Sequence, residues 1–298
     1  MRLVAILASV LVAAAGCGDE DEASVASGTG ARPSAAAPGP GGETRYTATA
    51  TVLESPDHGP QLCLGGVDES YPPQCGGPEV VGWDWGAVDG EESANGTTWG
   101  TYTVVGTWDG ESLTLTERPA PPDGARRSQP DRARFSTPCA EPEGGWRVVD
   151  ASKASDGAMQ AAIDYARSRP TFGGAWVDQS INPALDDEPV DEARANDPTK
   201  LVLNLTFTDD VARHEEAIRE MWGGALCVSE ASVSAAELAE TRAQVEAAVD
   251  ELLFSSVDEV RGRVEVGVPV DGGLQQRFDE RYGPGVVQVR AQLRPVDE

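Results

Sequence analysis

The chain has 298 residues, of which 40% are hydrophobic, enough for one large or two small folded domains with a buried core. It carries 50 Asp and Glu against 23 Lys and Arg, a formal charge of −27, which argues against nucleic acid and against direct adsorption to anionic lipid.

The first 16 residues, MRLVAILASVLVAAAG, place one Arg ahead of an apolar stretch and small residues. This is the layout of a secretory signal, and the apolar part falls short of the roughly 20 residues a membrane span needs. Ala14-Ala15-Gly16-Cys17 resembles a bacterial lipobox, with Ala14 where Leu is commoner. The resemblance implies that Cys17 is lipidated and anchors the mature chain to the cell membrane. Ordinary cleavage after Ala15 leaves a secreted protein instead. Residues 17–44 are small, polar and rich in Gly, Ala, Ser and Pro, a composition that predicts a flexible tether.

Residues 45–117 predict a small all-β domain, an OB-like barrel or a sandwich. RYTATATVL alternates Tyr46, Ala48, Ala50 and Val52 against three threonines, and QLCL and EVVGWDW are short β-prone runs. TWGTYTVVGTW puts Tyr102, Val104 and Trp108 on one face, and Asp109-Gly110 turns the chain into ESLTLT. Trp83 and Trp85 fall on one side of a strand with Asp84 opposite. Buried, they are core in a domain short of other large apolar residues. Exposed, they form a platform for a sugar or peptide.

Residues 118–145 are rich in Pro and Gly and predict a linker. They carry the one basic cluster, Arg126, Arg127, Arg132 and Arg134, which is expected to dock on the protein's own acidic surface or to bind an external anion. Residues 146–298 alternate strand and helix and predict an α+β domain, a mixed sheet with helices that is ferredoxin-like in spirit. WRVVD, GAWVD, KLVLNLTF, ALCVS, GRVEVGVPV and VVQVRAQL read as strands. In KLVLNLTF, Leu201, Leu203, Leu205 and Phe207 are expected to face inward. Ser155 caps one predicted helix, Asp209-Asp210 starts a second, and Ser234 with Glu237 forms a capping box for a third. A fourth carries Leu274, Phe278 and Tyr282 and stops at Gly283-Pro284. Two β-α-β units recur, at 200–229 and 263–294, without a convincing sequence repeat. Residues 179–198 show no clear element and are strongly acidic, with Asp186, Asp187, Glu188, Asp191, Glu192 and Asp197.

Five cysteines are present. With Cys17 assigned to lipid, Cys63, Cys75, Cys139 and Cys227 remain, an even number suited to an oxidising compartment. Three pairings are open. The local one joins Cys63 to Cys75 and leaves Cys139 for Cys227; its short loop is worth about 3 kcal/mol by loop-closure entropy. No CxxC occurs, and His58 and His214 lie far apart, so no metal site is expected.

No catalytic frame emerges. His214-Glu215 begins a zinc-protease motif, but Ile218 stands where the second histidine is required; a place at the edge of a packed helix face suits His214 better. No lysine follows a glycine, so there is no phosphate-binding loop; Asp150 and Asp197 occupy the serine position of S-x-x-K; and no G-x-S-x-G elbow exists. Carboxylates are so abundant that no pair is singled out. The acidic 186–191 region offers oxygens to Ca²⁺ but lacks EF-hand spacing, and solvated surface accounts for it.

LCLGGVDESYPPQCGGPEVVGWDWG, followed by TWGTYTVVGTWDG, HEEAIREMWGGALCV and DERYGPGVVQVRAQLRP, resembles a family of secreted or lipid-anchored proteins of high-GC Gram-positive bacteria. No activity is assigned to that family, so the resemblance implies location and architecture alone. The expectation is an extracytoplasmic lipoprotein that is a non-catalytic binding module of the cell envelope, without a cofactor, its partner an envelope protein or a cell-wall component. The alternative is a carboxylate-dependent hydrolase of cell-wall glycan or peptide.

Overall fold

The computed structural model describes residues 44–122, 132–187 and 189–296. Cys17, the leader and nearly all of the tether lie outside these residues, as do Arg126, Arg127 and Glu188. The chain is a mixed α+β protein with several sheets and few helices.

The first half is built from β1 (Arg45–Ser55), β2 (His58–Leu62), β3 (Glu79–Val81), β4 (Glu92–Ala94), β5 (Thr97–Trp108) and β6 (Ser112–Leu115). β1 pairs with both β2 and β5, β2 with β3, β3 in parallel with β6, and β6 with β5. These five strands therefore close into a ring, which leaves no free edge among them. The alternation of β1 and β5 decides the inside: Ala48, Val52, Tyr102 and Val104 meet Leu62, Val80 and Leu113 in one cluster. The threonines point out and pair across the strands, Thr49 to Thr103 at 2.8 Å between hydroxyls. Beyond Leu62 the chain makes a loop closed by the Cys63–Cys75 disulfide, whose Cα atoms are 5.7 Å apart. The loop returns so tightly that a Cβ on Gly77 would lie 2.0 Å from the Leu62 carbonyl oxygen, so only glycine fits there.

The second half contains two copies of one arrangement. The first is α1 (Asp156–Arg167), β7 (Phe172–Asp178), β8 (Val202–Phe207), α3 (Val211–Arg219) and β9 (Ala225–Glu230). The second is α4 (Ala235–Glu246), β10 (Phe254–Asp258), β11 (Arg263–Val268), α5 (Leu274–Tyr282) and β12 (Val287–Ala291). Each opens with a 12-residue helix capped by a serine, Ser155 or Ser234. In each, an antiparallel pair is followed by a parallel strand reached through a nine-residue helix. Both of these helices start after a residue with left-handed backbone, Asp210 at φ 54° and Gly273 at φ 84°. The strands form two three-stranded sheets where a single mixed sheet is expected from the sequence.

The copies differ in their hairpins. Residues 259–262 join β10 to β11, whereas 179–201 join β7 to β8. The acidic stretch is thus an insertion in one hairpin. It is structured after all, holding a 3-10 turn at Pro183–Asp186, the short helix α2 (Glu192–Ala195) and a second 3-10 turn at Pro198–Lys200. Asn182, Asp191 and Asp197 cap these turns, and Asp187 pairs with Arg194 at 2.7 Å. Two of its carboxylates, Asp191 and Asp197, thus satisfy helix-start amides.

Three further corrections follow. WRVVD is not a strand, because the Val149 and Asp150 amides donate to the Gly223 carbonyl instead of to a ladder. β8 does not alternate; all six residues are buried, since α1 and α3 cover one face while Cys139, Trp146 and Ile181 cover the other beside Val202. β10 is an added strand, short and polar enough to escape detection. α3, at nine residues, is too short to be stable alone; Ile218 and the neighbouring Trp222, both fully buried, fix it to the sheet.

The C-terminus returns to the ring of strands. β13 (Arg294–Pro295) pairs with β1, and Leu293 is fully buried in the ring's core, against which Leu253 and Val270 also pack. The second disulfide, Cys139–Cys227, holds residue 139 to β9, with Cα atoms 5.8 Å apart. Arg134 lies 3.1 Å from Asp258, so this member of the basic cluster docks on the protein's own acid. Two disulfides fit an oxidising, extracytoplasmic environment. Among the described residues no helix is long and apolar enough to cross a membrane.

Candidate functional site

β3 ends at Val81, and Gly82, at φ 86°, turns the chain away from it. Trp83 and Trp85 therefore lie beyond the strand rather than on one of its faces. The Asp84 carboxylate accepts from the Gly86 amide at 2.9 Å and caps a 3-10 turn at Trp85–Ala87. This turn packs both indoles, each partly buried, against the core of the ring of strands.

There they meet Tyr102 of β5. The Trp83 and Trp85 rings are 5.1 Å apart edge to face, and their distances to the Tyr102 ring are 5.1 and 6.3 Å. Such edge-to-face contacts are worth about 0.5–1.5 kcal/mol each beyond burial. The Trp85 Nε1 donates to Glu54 Oε2 at 2.6 Å. Trp83 Nε1 and Tyr102 Oη are both buried without a hydrogen-bond partner. Leaving such a group unpaired costs about 1–3 kcal/mol. Tyr102 is only 3% exposed, and burial raises its pKa, with the charges of Glu91 and Asp89 adding to the effect.

Gly100 joins this cluster to an open cleft. A Cβ at Gly100 would lie 2.6 Å from Tyr102 Oη, so the missing side chain is what lets the tyrosine lie along the strand. Gly100 also lines a cleft of about 600 Å³ with Thr51, Val67, Pro73, Asp89, Glu92, Trp99 and Thr101. Trp99 takes an edge-to-face contact at 5.7 Å from Tyr71, which sits 75% exposed on the disulfide-stapled loop. The cleft thus combines aromatic and proline surface, threonine hydroxyls and two carboxylates, and among the described residues no Lys or Arg lines it. Arg118 donates twice to the Ala87 carbonyl, from Nε at 2.9 Å and from Nη2 at 2.5 Å.

His214 is far from this region and buried, 8% exposed, with its ring stacked on Phe207 at 4.0 Å between centroids. Its two nitrogens face the Tyr165 hydroxyl at 3.2 Å and the Thr171 hydroxyl at 3.1 Å. Burial lowers its pKa, against the pull of Asp210. It is a core histidine. His58 instead faces the carbonyl of Gly59 at 2.8 Å. Among the described residues no group of three or more His, Cys, Asp or Glu is placed to hold a metal ion.

Trp83 and Trp85 stand out in the sequence by type and spacing. Tyr102 reads only as a core residue, and Glu54, Asp89 and Glu92 are lost among many acids; nothing short of the fold brings Glu54 to Trp85 or Asp89 and Glu92 to the cleft. Searches of family models, curated proteins and solved structures return no match to this chain.

Proposed function

We propose that the protein is an extracytoplasmic lipoprotein, anchored through Cys17, whose OB-like barrel is a non-catalytic binding module for a cell-wall glycan. The strand order of the ring, with the third and last strands parallel, supports the OB-like reading, and the split β-α-β units behind it keep the ferredoxin-like comparison. The observation that carries the function is the pair of buried, unpartnered groups Trp83 Nε1 and Tyr102 Oη, which Gly100 separates from a cleft of about 600 Å³ that neither residue lines. A hydroxyl-rich ligand supplies the acceptor the indole lacks, offers C–H faces to the aromatic rings, and donates hydroxyls to Asp89 and Glu92.

The test is calorimetric titration of the mature protein with a soluble β-1,4-linked N-acetylglucosamine tetramer. Saturable binding that weakens about ten-fold or more in Trp83→Phe supports the module, since the substitution removes the indole N–H and keeps most of the ring. No heat with the tetramer, or unchanged affinity in the variant, overturns it. Hydrolysis of the tetramer that is lost in Asp89→Asn or Glu92→Gln would establish the hydrolase alternative. Mass spectrometry of the native N-terminus tests the anchor: a diacylglyceryl adduct on Cys17 is expected, and an unmodified Gly16 terminus refutes it.

A further inference from the structure

β9 is the outer strand of its sheet. β8 covers one side, and no described strand covers the other. In a parallel ladder alternate residues turn their N–H and C=O groups away from the neighbour, so β9 carries backbone groups without a strand partner, of which the Val228 carbonyl is approached by Cys139 Sγ at 3.8 Å. Ala225–Ser229 holds none of the charges or prolines that commonly blunt such an edge. A cleft of about 340 Å³ follows the strand, lined by four consecutive residues from Ala225 to Val228. Its opposite wall is the 139–149 segment, held to the strand by the Cys139–Cys227 disulfide. Trp146 and Arg147 come from that wall, and α3 contributes Glu215 and Arg219.

The charges in this cleft are the second observation. Arg118 and Arg169 bond a backbone carbonyl and a hydroxyl, but Arg45 pairs with Glu117, Arg194 with Asp187, Arg242 with Glu246 and Arg290 with Glu265. The two in the cleft do not. Arg147 Nη1 donates to the carbonyls of Glu143 and Gly144, at 3.2 and 3.5 Å, and Arg219 Nη1 to the carbonyl of Gly224 at 2.8 Å. A guanidinium has five N–H donors, so each keeps several in hand. Glu215 lies one helical turn from Arg219 and forms no ion pair with it. Burial draws the Arg219 pKa below its ordinary value, with Glu215 opposing. Arg219 is half-buried and Arg147 exposed, so both guanidiniums can turn their remaining donors to a carboxylate that enters the cleft.

We propose that this cleft binds an extended peptide by strand addition to β9, with a carboxylate of the peptide held by Arg147 and Arg219. The carboxylate is either the peptide's C-terminus or an Asp or Glu side chain; both offer the planar pair of oxygens a guanidinium fits. The site is separate from the barrel end and does not rest on glycan binding there.

The experiment uses the disulfide-intact mature chain and fluorescein-labelled six-residue Val/Thr peptides, read by anisotropy. One peptide has a single internal Glu and an amidated end, one has a free C-terminus and no acid, one has neither, and one has an internal Lys and an amidated end. At least one carboxylate peptide is expected to saturate, about ten-fold or more tighter than the neutral and Lys peptides; the tighter of the two identifies the source. Arg147→Gln should weaken that peptide about ten-fold, with partial rescue in Arg147→Lys, which keeps the charge and loses the fork. Arg219→Gln should act likewise, but Arg219 also holds the Gly224 carbonyl, so Arg147 carries the test if that variant fails to fold. Hydrogen exchange over residues 225–230 should slow when peptide binds. Absence of binding, equal affinity for neutral and carboxylate peptides, unchanged affinity in Arg147→Gln, or unchanged exchange over 225–230 would each overturn the proposal.

Discussion

Replacing the cysteines of each disulfide by alanine should destabilise the chain by different and calculable amounts. Alanine is chosen because Cys227 is 1% exposed and a serine there would bury an unpaired hydroxyl. The two bridges close loops of very different length, with sequence separations of 12 and 88. Loop-closure entropy puts the cost of removing the short one at about 2.8 kcal/mol and the long one at about 4.6 kcal/mol. The difference, about 1.8 kcal/mol, follows from the ratio of loop lengths alone. Guanidinium denaturation of the two paired variants and of the parent, followed by tryptophan fluorescence, measures both losses. Equal losses, or a larger loss from Cys63→Ala with Cys75→Ala, would refute this account. The bridges would then act through native packing, the first through its cluster with Leu53 and Trp99, the second through Val202 and Trp146.

Other outcomes can be stated more briefly. Leu203 is fully buried on β8, the middle strand of its sheet, and Leu203→Ala should cost about 2–5 kcal/mol in the same denaturation assay. The lowered pKa of His214 means that the unfolded chain takes up its proton first. The stability linked to His214 is full above about pH 6.5 and is lost as pH falls below it. A His214→Gln variant should show a flatter stability profile as pH falls below about 6.5. For Asp258, whose side chain is 1% exposed, burial alone would raise the pKa, but the guanidiniums of Arg134 and Arg261 outweigh it and hold it low. Its contribution is present above the unfolded carboxylate value of about 3.9 and disappears as pH falls through the folded one. Asp258→Asn should cost about 1–3 kcal/mol at neutral pH and blunt the acid limb in a pH-dependent urea titration.

The sequence reveals elements best where one face is buried and the other wet. β1 and β5 are of that kind, and so their alternation is legible residue by residue. β8 is covered on both faces, so its inward set cannot be told from its outward one, and β10, with Phe254 partly exposed and two serines, lacks the signal altogether. The capping box of Ser234 and Glu237 is local chemistry and forms as its spacing implies. WRVVD misleads because a strand needs a partner and this one finds a single carbonyl. The acidic insertion misleads in the opposite sense: its aspartates read as solvated charge, yet three of its polar side chains cap turns. The candidate site is legible only in its tryptophans. Tyr102 and Glu54 join them through the pairing of β1 with β5, and Arg147 reaches the cleft of Arg219 through contacts that no short motif records.

The indole N–H of Trp83 is the most direct reporter of the barrel-end site. Nitrogen-15 labelling of the mature chain resolves tryptophan indole resonances, and Trp83→Phe assigns the one in question. On titration with the N-acetylglucosamine tetramer the account predicts a saturable downfield shift of the Trp83 indole proton, as its unpaired donor gains an acceptor, together with smaller shifts at Trp85 and Trp99. A Trp83 resonance that stays fixed while others move, or a spectrum unchanged at saturating tetramer, would contradict it.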